Sequence, residues 1–155
     1  MFRSRMAANE SAAVAAGKTY AEAQGVYRKT DWDEDGVYEF AQTLKGALNL
    51  VDAALASAEG PPGLAQPKAG YVFKVLKSQG PHAPGGRKSY VDANGKMTMG
   101  YALVACPASY DGTGRNTFIV NQTGTVYQKD LGSNTEALFN AMTEYDPGPG
   151  WVVAE

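Results

Sequence analysis

Residues 1–30 read MFRSRMAANESAAVAAGKTYAEAQGVYRKT, and the architecture turns on this stretch. Small or apolar residues stand at Phe2, Met6, Ala13, Ala16, Tyr20, Ala23 and Tyr27, in steps of three and four that Asn9 interrupts. That spacing lays a single stripe along one face of a helix. Eight of these thirty residues are alanine, which favours helix and lets neighbouring backbones come close. Lys18 and Glu22 sit one turn apart as a weak supporting pair, in the less favourable order. Gly17 and Gly25 each weaken the helix by roughly 1 kcal/mol relative to alanine. The prediction is a long helix that depends on a surface to cover its stripe.

Outward from this helix, an acidic loop follows at Asp31-Trp32-Asp33-Glu34-Asp35-Gly36. A second helix is expected over about 38–57, with Phe40, Leu44, Leu48, Val51 and Leu55 at helical spacing and Gly46 as a point of division. Gly60-Pro61-Pro62-Gly63 ends it, because neither residue type continues a helix. Beyond this point the pattern turns to strands. Residues 71–76 and 97–105 are expected as the first two, the second entered from an Asn94-Gly95 turn. Residues 117–121 and 125–129 flank Gln122-Thr123-Gly124 as a hairpin. Ser133-Asn134-Thr135-Glu136 has the capping-box pattern that opens a short helix to about Met142. A Gly/Pro-rich tail follows, in which Trp151 is expected to pin the end.

The expected fold is therefore α+β: a long N-terminal helix packed on an antiparallel sheet of about four strands, with a second helix in the αβ loop and a short C-terminal helix. One domain spans 1–155, divided into the helix at 1–30, acidic loop and second helix at 31–69, sheet at 70–131, and short helix and tail at 132–155.

Bulk properties narrow the function. The 155 residues carry a formal net charge of −2, and Lys and Arg are scattered, which gives no electrostatic case for nucleic acid. The single cysteine, Cys106, excludes an intrachain disulfide. No run of about 18 apolar residues is present, so the chain as it stands is expected to be soluble.

The strongest local signal for chemistry is Asp31-x-Asp33-x-Asp35-Gly36. A calcium loop takes oxygen ligands from alternating positions and a glycine at the sixth place for its sharp turn. Continuing the count, Val37 would offer its carbonyl and Glu39 its carboxylate, so Asp31, Asp33, Asp35, Val37 and Glu39 form the expected Ca2+ ligand set. The twelfth position is Gln42 and not the bidentate glutamate of an EF-hand, so half the motif is present. The competing reading is a solvated acidic turn at a helix start.

Other candidates are weaker. His82, the only histidine, lies in a Gly/Pro loop and reads as a surface residue with no marked nucleophile or zinc partner. Cys106 precedes a proline at the end of an apolar run and reads as a small buried hydrophobe. Asp111-Gly112-Thr113-Gly114 lacks the lysine of a phosphate loop and joins strands. No catalytic constellation emerges, and the chain is expected not to be an enzyme.

The opening Phe2-Arg3-Ser4-Arg5-Met6-Ala7-Ala8-Asn9-Glu10-Ser11-Ala12-Ala13-Val14 resembles the stretch of type IV pilins just after their hydrophobic spine. The blocks Gly70-Tyr71-x-Phe73, Gln79-Gly80-Pro81-x-Ala83-Pro84-Gly85-Gly86, Gly100 to Ala105, Thr117 to Asn121 and Val126 to Gly132 are similar to a family of uncharacterised exported bacterial proteins. The resemblance implies a structural subunit of a type IV pilus-like or type II secretion pseudopilus filament. Its partners would be copies of itself or other pilin-like subunits, and its location the periplasm or the bacterial cell surface. It further implies an apolar N-terminal spine, absent from this chain, that anchors the subunit in the inner membrane before assembly. The alternative expectation is an exported or periplasmic binding module whose nine tyrosines and Gly/Pro loops recognise a polymer or protein partner.

Overall fold

The computed structural model describes residues 2–29, 36, 38–44 and 53–154. Helix α1 (Phe2–Tyr27) opens the chain, and a short α2 (Ala53–Ser57) precedes the strands. Strands β1 (Tyr71–Leu76), β4 (Ala102–Pro107), β5 (Asn116–Asn121), β6 (Val126–Asp130) and β7 (Val152–Val153) form one antiparallel sheet in that order. Strands β2 (Ser78–Gln79) and β3 (Lys88–Ser89) make a small hairpin to one side. Helix α3 (Thr135–Ala141) lies between β6 and β7 in the chain. The fold is α+β, as the pattern of elements predicts. Among the described residues, no helix is long and apolar enough to cross a membrane.

Register explains how the layers stack. Val75, Leu103, Val120 and Val126 align across four strands, and Phe73, Ala105, Phe118 and Gln128 form the next row. These rows face α1, whose Ala13 and Gly17 sit over Leu103, Ala105, Phe118 and Val120. The alternate row, Lys74, Val104, Ile119, Tyr127 and Val153, faces α3 and the C-terminal segment. With both faces covered, β4 is buried at every residue and shows no alternation of apolar and polar positions.

The stripe on α1 is the stripe the fold uses. Met6, Ala13, Ala16, Tyr20 and Ala23 are buried, and Val14 and Gln24 join them. Gly17 allows the closest approach: a Cβ there would stand 3.3 Å from Val120 Cγ1. The glycine that weakens the helix locally is what seats it on β5.

Three expectations change. The predicted second helix is not helical over residues 38–44, and among the described residues only Ala53–Ser57 is. Tertiary hydrogen bonds hold that first part in an irregular, non-helical course: Phe40 N–H donates to the Met97 carbonyl at 2.7 Å, and Gln24 takes both backbone groups of Ala41. Leu48, Val51 and Gly46 lie outside the described residues. The second strand begins at Ala102 and not at Met97, because Met99 N–H is drawn to the Tyr90 carbonyl at 3.0 Å and Tyr101 N–H to the Gln122 side chain at 3.2 Å. The capping box does not form; a single 3-10 turn at Gly132–Asn134 leads into α3, and Thr135 Oγ1 donates to the Gly132 carbonyl at 2.6 Å.

The two sheet edges differ. Residues 58–60 cover β1, with Phe73 N–H on the Ala58 carbonyl at 2.8 Å and Gly60 N–H on the Phe73 carbonyl at 2.9 Å. The far edge is β7, a fifth strand absent from the sequence reading, whose Val152 and Val153 are exposed.

Candidate functional site

The seat of α1 joins distant parts of the chain through a series of side-chain hydrogen bonds. Near its start, Glu10 Oε2 accepts two backbone N–H groups at the entry to β5, from Arg115 at 3.1 Å and Asn116 at 2.8 Å. Asn9 Nδ2 donates to the Thr113 carbonyl at 2.9 Å. Asn9, which breaks the apolar stripe in the sequence, is thus a fastening. Further along, Tyr20 Oη donates to the Ala102 carbonyl at 3.2 Å, and Gln24 Nε2 donates to Tyr20 Oη at 2.9 Å and to the Ala41 carbonyl at 2.7 Å. Burial pushes the Tyr20 hydroxyl far above the usual phenol range, and the same cause raises Tyr71, which donates to the Asn116 carbonyl at 2.6 Å. Both phenols stay neutral donors.

The outward side of α1 is chemically plain. Ala7, Ala8, Ser11, Ala15 and Thr19 are exposed along it, with Arg5 before them and Glu22 after. Small side chains there allow another surface to approach at close range.

Of the expected calcium ligands, Asp31, Asp33, Asp35 and Val37 lie outside the described residues. Gly36 is described and has φ of +83°, the left-handed conformation that the sixth position of such a loop requires. Glu39 is partly buried, and its Oε2 stands 3.6 Å from Lys96 Nζ. The loop's exit is therefore held to the Asp92–Lys96 turn, where Gln42 Nε2 also donates to the Gly95 carbonyl at 2.8 Å. Among the described residues, no three His, Cys, Asp or Glu side chains gather as a metal site.

His82 is half exposed, and its Nδ1 lies 3.0 Å from Asp146 Oδ1, which also accepts the His82 backbone N–H at 2.9 Å. Among the described residues, no hydroxyl or thiol bonds to the imidazole. Beside it, Arg87 Nη1 pairs with Glu144 Oε2 at 3.0 Å. The loop between β2 and β3 is shaped from inside by Gln79, fully buried, whose Nε2 donates to the Pro84 and Gly86 carbonyls at 2.8 and 2.7 Å. Tyr90 Oη donates to Gln79 Oε1 at 2.9 Å, closing that network. Nothing in the spacing of Gln79 and Tyr90 signals this partnership.

Cys106 is fully buried, and burial pushes its thiol up to about 12. It is an inert core residue. The Asp111-Gly112-Thr113-Gly114 segment is the turn that receives α1, with Arg115 Nε donating to Asp111 Oδ1 at 2.6 Å.

A long helix seated across a five-stranded antiparallel sheet, with a second small helix behind it, defines the class of domain. Residues 48–154 match the model of DUF2950, described as a protein family of unknown function, and the chain belongs to that family. No curated protein and no solved structure matches the chain.

Proposed function

We propose that this domain is a structural, non-enzymatic subunit of a type IV pilus-like or type II secretion pseudopilus filament, assembling through its N-terminal helix at the bacterial periplasm or surface. The observation that carries the reading is the asymmetry of α1. One face is buried from Met6 to Gln24 and fastened by Asn9, Glu10, Tyr20 and Gln24. The opposite face, from Ala7 to Thr19, is exposed and made of small residues. A helix held this firmly to its own sheet acts as a rigid handle. A smooth outer face suits close packing against like helices, at the short end of the roughly 8–10 Å interaxial range. In this reading the same helix joins the head to an inner-membrane anchor before assembly.

Site-directed cross-linking in cells tests it. With Ala8→Cys and Ala15→Cys introduced together in a Cys106→Ala background, a bifunctional thiol reagent is expected to yield a ladder of multimers in the sheared surface fraction. A purely monomeric product, with the protein exported at normal level, overturns the reading.

A further inference from the structure

On the face of the sheet opposite α1, a cleft of about 290 Å3 opens between the end of α3 and Trp151. Ile119, Met142 and Trp151 supply its apolar side, and Thr143, Glu144 and Asp146 its polar side. Its walls are braced. Tyr145 N–H donates to the Ser78 carbonyl and Gly80 N–H to the Tyr145 carbonyl, each at 2.9 Å, which fixes the backbone between the two carboxylates. Trp151 N–H donates to the Gly148 carbonyl at 3.1 Å, and the indole packs against the core. Such preorganisation lowers the ordering cost of binding.

Charge narrows the ligand. Glu144 already faces Arg87 at 3.0 Å and Asp146 faces His82 at 3.0 Å, while Lys129 Nζ reaches the Pro149 carbonyl at 3.4 Å. The carboxylates disfavour an anion, and the Arg87 guanidinium offsets the charge of Glu144. What remains is a partly buried indole beside two carboxylates and a hydroxyl. Oε1 of Glu144 takes no bond from any described residue, so one charged acceptor stands ready for a hydroxyl. A pyranose matches this set: its C–H face can lie on an indole, and its hydroxyls can bond to the Glu144 and Asp146 carboxylates and the Thr143 hydroxyl. The volume sits at the lower end of small-molecule sites, which suits one ring and not a chain.

We infer that the cleft beside Trp151 is a binding site for a single neutral sugar ring, such as a terminal or internal unit of a glycan. This site does not depend on the filament reading, since it lies on the other face of the sheet from α1.

Amide and indole NMR spectra of the full chain, titrated separately with cellobiose, maltose and the N-acetylglucosamine dimer up to about 50 mM, test it. At least one sugar is expected to move the Trp151 indole N–H and the amides of residues 141–146 in a saturable way, with a dissociation constant on the order of 1–10 mM. Trp151→Ala is expected to abolish the shifts and Trp151→Phe to keep part of them. Glu144→Gln, which leaves the Trp151 packing intact, is expected to weaken binding by about 3–10-fold. Spectra unmoved by all three sugars overturn the inference, as do shifts that persist unchanged in Glu144→Gln and Trp151→Ala. Saturable binding of ethylammonium or acetate alone at these resonances overturns it too.

Discussion

The side chain of Gln24 pairs with the backbone of Ala41 as a strand would: Nε2 donates to the Ala41 carbonyl at 2.7 Å, and the Ala41 N–H donates to Oε1 at 2.8 Å. Both residues are buried, so neither backbone group has water as an alternative. The segment leaving the acidic loop is thereby tied to the end of α1.

Gln24→Ala is expected to destabilise the domain by about 2–4 kcal/mol, because it strands a buried donor and a buried acceptor together. Gln24→Glu keeps the acceptor for Ala41 N–H but loses the donor and buries a charge, so it is expected to cost at least as much. Urea denaturation checks both; a Gln24→Ala midpoint equal to wild type contradicts the claim.

At the other end of the helix, Glu10→Ala removes the acceptor for two N–H groups at the start of β5. A loss of about 1–3 kcal/mol is expected. Glu10→Gln keeps an oxygen in place and is expected to lose less than half of that. Equal losses in thermal melts of the two variants mean that the charge matters and the hydrogen bonds do not.

The buried thiol makes alkaline stability pH-dependent. Cys106 is raised from 9.0 to about 12 by burial, so above pH 9 the unfolded chain releases this proton while the folded chain keeps it. The stabilising contribution is full below pH 9 and declines as pH rises toward about 12, at a slope near 1.4 kcal/mol per pH unit. Tyr20, Tyr71 and Tyr145, all raised by burial, add losses of the same sign from their ordinary value of 10.0 upward. Cys106→Ala is expected to flatten the profile between pH 9 and 10, measured by urea midpoints; an unchanged slope counts against it.

Calcium is expected to raise the melting temperature of the chain through Asp31, Asp33, Asp35, Val37 and Glu39, and Asp33→Ala to erase the rise. At a concentration 100 times the dissociation constant the gain is about 2.7 kcal/mol. Superimposable melts in calcium and in chelator sink the prediction.

Much of this fold is legible before any coordinates. The spacing from Met6 to Ala23 predicts the buried face of α1, and residues 71–76 predict β1 to the residue. The Asn121 to Gly124 turn closes as its composition requires, with Gly124 N–H on the Asn121 carbonyl at 2.9 Å. The pattern fails where distant groups outbid local preference. Phe40 and Leu44 sit at helical spacing, yet Phe40 N–H goes to Met97, and Leu44 N–H goes to the Glu59 carboxylate at 3.1 Å. β7 is two residues after a Gly/Pro tail, too short for any periodicity to register.

By itself the chain order determined that a helix comes first and a meander of strands after it, because hydrophobic spacing and turn residues act within a few positions. Only the tertiary structure decided which polar residues matter. Asn9, Glu10, Gln24 and Gln79 look like ordinary surface residues in the sequence, and each reaches backbone groups that local structure leaves unpaired. The pairing of Glu144 with Arg87 beside Trp151 likewise exists only after the tail folds back onto the β2–β3 loop. A buried donor or acceptor must find its partner wherever the packed chain brings one, and sequence distance does not constrain that choice.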